Sequence, residues 1–339
     1  MLEKTGNNRK FKERMDSPKV SIVIALFNKE LFLQETIKSI QSQDITDWEL
    51  IIVDDCSTDN SVDILKPYLK KDNRIRFFQN EVNRGANFCR NLGIKVAEAP
   101  YIIFLDADDL LSEACLSKRL AVMKENVRLD FCVSSMGVFK KEPGDMKGDW
   151  ISGSKNPLAG FLSHRLPWAL PQPIWKASFL HHIGGFDEEF LRLQDVELHT
   201  KALFTEGVNF KQLANEPDCF YRIANERVNF NSFELLSRYV VSTKMFCSRF
   251  FPLAKEKNLQ NKLLGTVYSM YTRVLNNKKN KEISNEQFFF LEAQLLEAAD
   301  ILPNLKGVKR YLFLISKLAA KLPIRISGIN WTLSRLIEL

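Results

Sequence analysis

The chain has 339 residues, of which 45% are hydrophobic and 26% charged, the balance of a soluble globular protein with room for one large domain or two ordinary ones. No apolar run approaches the ~18 residues that a bilayer span needs, which argues against a membrane-spanning protein. Residues 1–18 are polar and basic and lack the apolar core of a secretory signal, so a disordered leading tail on a cytoplasmic chain is expected.

Six cysteines (Cys56, Cys89, Cys115, Cys132, Cys219 and Cys247) form no C-x-x-C pair and read as reduced thiols rather than disulfides or zinc ligands. The net charge of +7 is uneven: from residue 230 onward 17 basic residues face 8 acidic ones, while the preceding residues hold 31 and 33. The basic character belongs to the C-terminal third.

Val20 to Leu26 reads as a buried strand, followed by a loop at Phe27-Asn28-Lys29-Glu30 and a helix on which Leu33, Ile37 and Ile40 recur. Trp48 to Val53 is a second strand that runs into Asp54-Asp55 and a polar cluster ending at Ser61, ahead of a helix carrying Val62, Leu65 and Leu69. Arg74 to Phe78 is a third strand, and Asn83-Arg84-Gly85-Ala86 opens a helix that Pro100 closes off. Tyr101-Ile102-Ile103-Phe104-Leu105 is a fourth strand, apolar on both faces, ending in Asp106-Ala107-Asp108-Asp109.

Alternating strands and helices predict an α/β fold, a doubly wound and mainly parallel sheet with helices on both faces. Ligands of such sheets collect beyond the carboxyl ends of the strands. Asp106 and Asp108, two apart at such an end, suit a hard divalent cation, and equally suit a solvated turn that caps the next helix. There is no G-x-G-x-x-G and no G-x-x-x-x-G-K, which argues against dinucleotide and P-loop sites. Carboxylates at two strand ends can instead hold a ribose, a base edge, or a cation that in turn holds phosphates.

Further along, Phe131 to Phe139 reads as one more strand, and Lys141 to Pro173 as a long loop. Trp150, Trp168 and Trp175, in or beside that loop, suit either sugar stacking or packing. Leu193 to Leu203 reads as a helix, with Asp195 either near its N-cap or free for chemistry. The four histidines show no metal-ligand spacing, and His199, four residues past Asp195, is the one placed to line a site. From Phe230 the chain is helical in pattern. Its segment 308–322 pairs an apolar stripe with regular Lys and Arg, fitting either an anionic membrane surface or packing on the preceding domain.

Five blocks, in order, resemble the inverting family 2 glycosyltransferases of GT-A fold. They are Ser21-Ile22-Val23-Ile24 with Phe27-Asn28, Val53 to Asp59, Asn83-x-Gly85 with Arg90-Asn91, Phe104 to Asp109, and Gly184-Gly185-Phe186-Asp187 with Gln194-Asp195. The resemblance implies a catalytic domain over residues 19–228, followed by a helical, basic region over 229–339. It implies a metal-dependent transfer from a nucleotide-sugar, in the first place a UDP-sugar, to a saccharide or lipid-linked saccharide in bacterial surface polysaccharide synthesis.

By the same resemblance Phe27 would pack on the base, Asp55 would accept from its imide, and Asp54 would support that loop. Arg90 and Arg222 would approach the nucleotide or its diphosphate. Asp106 would contact the ribose and share a Mg²⁺ or Mn²⁺ with its direct ligand Asp108. Asp109 would orient the loop or meet the sugar, and Asp195 would be the catalytic base. Ala25-Leu26 and Cys56 depart from the family pattern, in which hydroxyl residues and glycine are usual. Two other readings are a nucleotidyltransferase, which lacks its Gly-rich basic loop here, and a non-catalytic basic protein. Nucleic acid is not an expected partner, because RNA-binding signatures are absent. A peripheral place on the inner face of the cytoplasmic membrane is compatible with the basic C-terminal third.

Overall fold

The computed structural model describes residues 17–223 and 232–302. It opens with β1 (Val20–Leu26), α1 (Leu33–Gln41), β2 (Trp48–Asp54), α2 (Ser61–Lys71), β3 (Ile75–Gln79), α3 (Ala86–Val96) and β4 (Tyr101–Phe104). These strands pair in parallel in the order β3-β2-β1-β4. Each is joined to the next by a helix, as parallel pairing requires. The apolar runs fill both faces. Ile22, Ile24 and Leu26 point to the side of α1 and α2, and Val23, Ile51, Val53 and Phe104 to the side of α3. Helix α3 lies close on β1 because position 93 is glycine, where any Cβ would meet the γ-carbons of Val23.

After β4 come β5 (Leu110–Leu111), α4 (Cys115–Glu125), β6 (Phe131–Val133), β7 (Met136–Phe139), α5 (Pro157–Leu162), β8 (Pro173–Lys176), α6 (Ala177–His182), α7 (Gln194–Phe204), β9 (Phe210–Gln212) and β10 (Cys219–Arg222). Strand β8 enters the main sheet antiparallel between β4 and β6, giving the order β3-β2-β1-β4-β8-β6-β9. A second sheet has the order β5-β10-β7.

The single strand expected over Phe131 to Phe139 is therefore two strands in two sheets. The chain crosses between them at buried Ser134 and Ser135. The Ser134 N–H still bonds to the Gln172 carbonyl (3.1 Å), in register with β8, whereas the Ser135 N–H turns to the Asn215 side chain (3.1 Å). Trp168 and Trp175 are fully buried against Phe131, Phe161 and Phe179, so they pack the core and do not face a sugar.

The C-terminal helices are α8 (Ser232–Glu256), α9 (Leu263–Lys279) and α10 (Asn285–Asp300). They carry a small core of their own around Val240, Tyr271 and Leu291, yet Phe246, Phe250, Val267 and Leu302 belong to the same cluster as the sheet face. Gly265 of α9 lets that helix close on Ser163, and Thr266 Oγ1 donates to the Leu162 carbonyl at 2.9 Å. Among the described residues no helix is long and apolar enough to cross a membrane. The leading tail, the boundary near residue 228 and the amphipathic segment 308–322 lie outside the described residues.

Candidate active site

The carboxyl ends of the neighbouring strands β1, β2 and β4 lie side by side, and hydrogen bonds knit their loops together. After β1, Asn28 Oδ1 accepts from Thr58 N (2.8 Å), Lys29 N donates to Ser61 Oγ (2.8 Å), and Glu30 N donates to Asp59 Oδ2 (3.0 Å). This holds Phe27 at the surface, 45% exposed, where a planar base can stack. Cys56 adopts φ +64°, the left-handed conformation that glycine favours.

Asp54 is fully buried, and its Oδ2 accepts from Ser57 N (3.1 Å) and Gln79 Nε2 (3.1 Å). Asp55 is also inward. Its Oδ1 accepts from Arg84 N (2.7 Å) and Asn80 Nδ2 (3.0 Å), and its Oδ2 from Gly85 N (2.8 Å). Its carboxylate thus shapes the Asn83–Gly85 turn, and a base imide would have to share an oxygen already engaged.

Beyond β4, residues 106–109 form a turn closed by Asp109 N on the Asp106 carbonyl (3.1 Å). Thr36 Oγ1 of α1 donates to the Ala107 and Asp109 carbonyls at 3.0 and 2.9 Å, pinning the turn. No helix follows directly, and α4 begins without a side-chain cap, so the capping reading of this acidic turn does not hold. Asp106 Oδ1 pairs with Arg90 Nη2 (3.0 Å), and Asp108 pairs with Lys29.

Asp109 points the other way. It is 1% exposed, accepts from Arg222 N (2.9 Å), and burial together with the neighbouring Asp106 and Asp108 charges holds its carboxyl well above the usual range. This bond ties the 106–109 turn to β10. Arg222 is likewise engaged within the protein. Its guanidinium donates to Glu35 Oε2 (2.6 Å) and the Asp108 carbonyl (2.8 Å) between the rings of Phe32 and Phe139, bracing the acidic turn instead of presenting charge to a diphosphate.

A resident divalent ion fits this donor set. Asp106 and Asp108 are partly exposed carboxylates on one turn, and each already attracts a cation of the protein. No group of three or more ligating side chains is present among the described residues. Two carboxylates with substrate phosphates completing the shell is the usual way Mg²⁺ is held.

Asp195 lies in the first turn of α7, whose N-cap is Leu193 in left-handed backbone (φ +58°). Asp195 is therefore not the cap. Burial raises its pKa above the ordinary value, Arg90 counteracts this, and Asp106 adds to the rise. Arg90 joins the two halves physically, donating to Gln194 Oε1 (3.0 Å) and Asn87 Oδ1 (3.4 Å) as well as to Asp106. Glu197, on another side of α7, is fully buried. His199 does not line the cleft: it is enclosed by Phe161, Trp168 and Trp175, and burial lowers its pKa to about 3.

Lys29, Glu35 and Arg249 were not singled out from the sequence. Lys29 had a signal, as a cation one residue past Asn28 at a strand end. Glu35 and Arg249 had none, since their partners are distant in the chain.

Comparison with known proteins agrees with this architecture. The sequence model of glycosyl transferase family 2 matches residues 21–183. An uncharacterised glycosyltransferase of Methanocaldococcus jannaschii is 31% identical over 250 residues, 70% of this chain and 84% of that one. A putative teichuronic acid biosynthesis glycosyltransferase of Bacillus subtilis is 41% identical over 108 residues, 32% of this chain and 43% of that protein. The chain spans less than half the length of the first curated relatives it matches. Among solved structures, residues 1–349 of TarS from S. aureus superpose with a TM-score of 0.60 at 18% identity, covering 83% of this chain and 80% of that one. The same fragment has been solved with UDP-GlcNAc (TM-score 0.52, 16% identity, 83% and 89% covered). A sheet of this topology, an acidic turn after its fourth strand and a relative matched over most of its length lead to one statement: the chain belongs to glycosyltransferase family 2.

Proposed function

We propose that this chain transfers a glycosyl group from a nucleotide-sugar to a hydroxyl of a saccharide or lipid-linked saccharide acceptor, with inversion, in the synthesis of a bacterial surface polysaccharide. The observation that carries the reading is the placement of Asp195. Its carboxyl, raised in pKa, lies across Arg90 from the acidic turn, which supports a proton acceptor and a leaving-group site on either side of one arginine.

Phe27 stacks on the base and the loops around Asp54 and Asp55 fix its edge. Asp106 and Asp108 would hold Mg²⁺ or Mn²⁺, which supplies positive charge to the departing diphosphate when bound. Lys29, paired with Asp108, is a second cation beside the acidic turn that would reach the phosphates. Asp195 takes the proton of the acceptor hydroxyl as its oxygen bonds to the anomeric carbon and the bond to the nucleoside diphosphate breaks. No protein nucleophile is required, so a single displacement inverts the centre.

UDP-sugars are the first donors to test, because a structural neighbour has been solved with UDP-GlcNAc. Wild-type protein assayed with Mn²⁺ against a panel of UDP- and GDP-sugars is expected to release the nucleoside diphosphate from at least one. With that donor, Asp195→Asn should lower kcat by about 10²–10⁴-fold and leave UDP affinity unchanged. Asp108→Asn should abolish the Mn²⁺ dependence of UDP binding. Absence of turnover with every donor rejects the reading.

A further inference from the structure

We propose that Arg249, on α8 of the helical C-terminal third, is a positioning residue for the transfer reaction: by bridging Asp187 and Glu197 it fixes the first turn of α7, and with it the carboxylate of Asp195, against the donor-binding strand end. This rests on the reading of Asp195 as the base.

Tyr239, Ser242, Phe246 and Arg249 recur at helical spacing and share one face of α8. Three of them meet the segment that delivers Asp195. Ser242 Oγ accepts from the backbone N–H of Arg192 at 3.1 Å, and the Arg192 guanidinium lies 5.4 Å from the Tyr239 ring. Arg249 Nη1 pairs with Asp187 and, at 3.4 Å, with Glu197 Oε1, while its guanidinium sits 5.2 Å from the Phe190 ring. One side chain from outside the catalytic sheet thus holds both ends of the segment 187–197.

That segment needs holding. Leu193 is in left-handed backbone, a conformation that strains a non-glycine residue and persists only where its surroundings enforce it. The cap of α7 makes no side-chain hydrogen bond to its first turn. Glu197 is fully buried, and its partners Arg249 and Lys201 both stand at 3.4 Å. Removing Arg249 leaves that buried carboxyl with Lys201, whose ammonium also donates to the Gly185 carbonyl at 2.6 Å. From the sheet side the segment is tied by Asn87 Nδ2 to the Asp187 carbonyl (2.7 Å) and by Arg90 to Gln194. Arg249 therefore acts on the acceptor half of the site, and loss of its bridge displaces the base while the nucleotide pocket stays intact.

The test compares Arg249→Met and Arg249→Lys with wild type, using the nucleotide-sugar that wild type turns over and UDP with Mn²⁺ as the binding probe. Arg249→Met should lower kcat by about 10–100-fold, as expected for a misplaced catalytic group, with donor KM and UDP affinity within about twofold of wild type. Arg249→Lys should recover part of the loss. Wild-type kcat in Arg249→Met overturns the proposal, and so does a kcat loss matched by an equal loss of UDP affinity. If Arg249→Met fails to fold, Glu197→Gln with the Lys variant reads the same split. If wild type turns over no donor, the transferase reading fails by itself, and amide exchange then decides the bridge. Exchange over residues 190–197 should quicken in Arg249→Met, and unchanged exchange rejects the proposal.

Discussion

Asp195 stands where two influences oppose each other. The helix N-terminus favours its charged form, and burial disfavours it, with burial the larger effect. If Asp195 is the base proposed above, its working form is the carboxylate, and kcat should fall as pH drops through a pKa raised above 3.8 and level off at higher pH. Arg90 is the cation that opposes the rise. Arg90→Met should therefore move the acidic limb of the kcat profile to higher pH, measured at saturating donor, and a limb that stays or moves down contradicts the assignment. The sequence showed Asp195 only through its resemblance to a family, because an aspartate ahead of an apolar helix caps as readily as it catalyses. The left-handed Leu193 that turns Asp195 out of the cap position leaves no mark in the residue types. For Asp109 and Arg222 the residue types were equally silent on direction, since inward and outward carboxylates or guanidiniums are spelled alike.

Helices and strands were more legible. The strands β1, β2 and β4 are buried on both faces and therefore appear as largely apolar runs, interrupted inside β1 and β2 only by the hydrogen-bonded pair Ser21 and Glu49, and α1 shows its stripe of Leu33, Ile37 and Ile40. What periodicity cannot show is partner choice. Phe131 to Phe139 is apolar enough for one strand, yet the Ser135 N–H donates to the Asn215 side chain and the segment divides between sheets there. Nor does anything in Pro173–Lys176 announce that it runs antiparallel inside a parallel sheet. The packing of α3 on β1 gives a prediction at this scale. Gly93→Ala gains about 1 kcal/mol of helix propensity but forces a methyl into stiff, buried Val23, an overpacking cost of about 1–3 kcal/mol. A lower Tm with unchanged UDP affinity is expected from thermal melts.

Over the whole molecule, the sequence divides at its change of charge, and the described core does not divide there. Phe246 and Phe250 of α8 share a cluster with Val53 and Phe104 of the sheet, and Phe250 stacks on Phe204 of α7 at 5.8 Å. Phe250→Ala should cost about 3–5 kcal/mol and lower a single unfolding transition, seen alike by far-ultraviolet dichroism and by tryptophan emission from the sheet side. Two separate transitions would contradict the shared core. The basic stripe in 308–322 predicts co-sedimentation with anionic vesicles that is lost on truncation after residue 302, and equal recovery of both forms removes the membrane expectation.

The antiparallel seat of β8 also bears on how the protein is made. While the chain emerges from the ribosome, β4 can pair with β1 at once, but its other edge stays bare until residues 173–176 arrive. A bare edge of Tyr101–Phe104 is the kind of template on which nascent chains stick to one another. Three carboxylates follow directly at Asp106, Asp108 and Asp109, and charge flanking an apolar strand is what keeps such edges from joining. The acidic turn thus sets charge beside that edge for as long as the sheet is half-built.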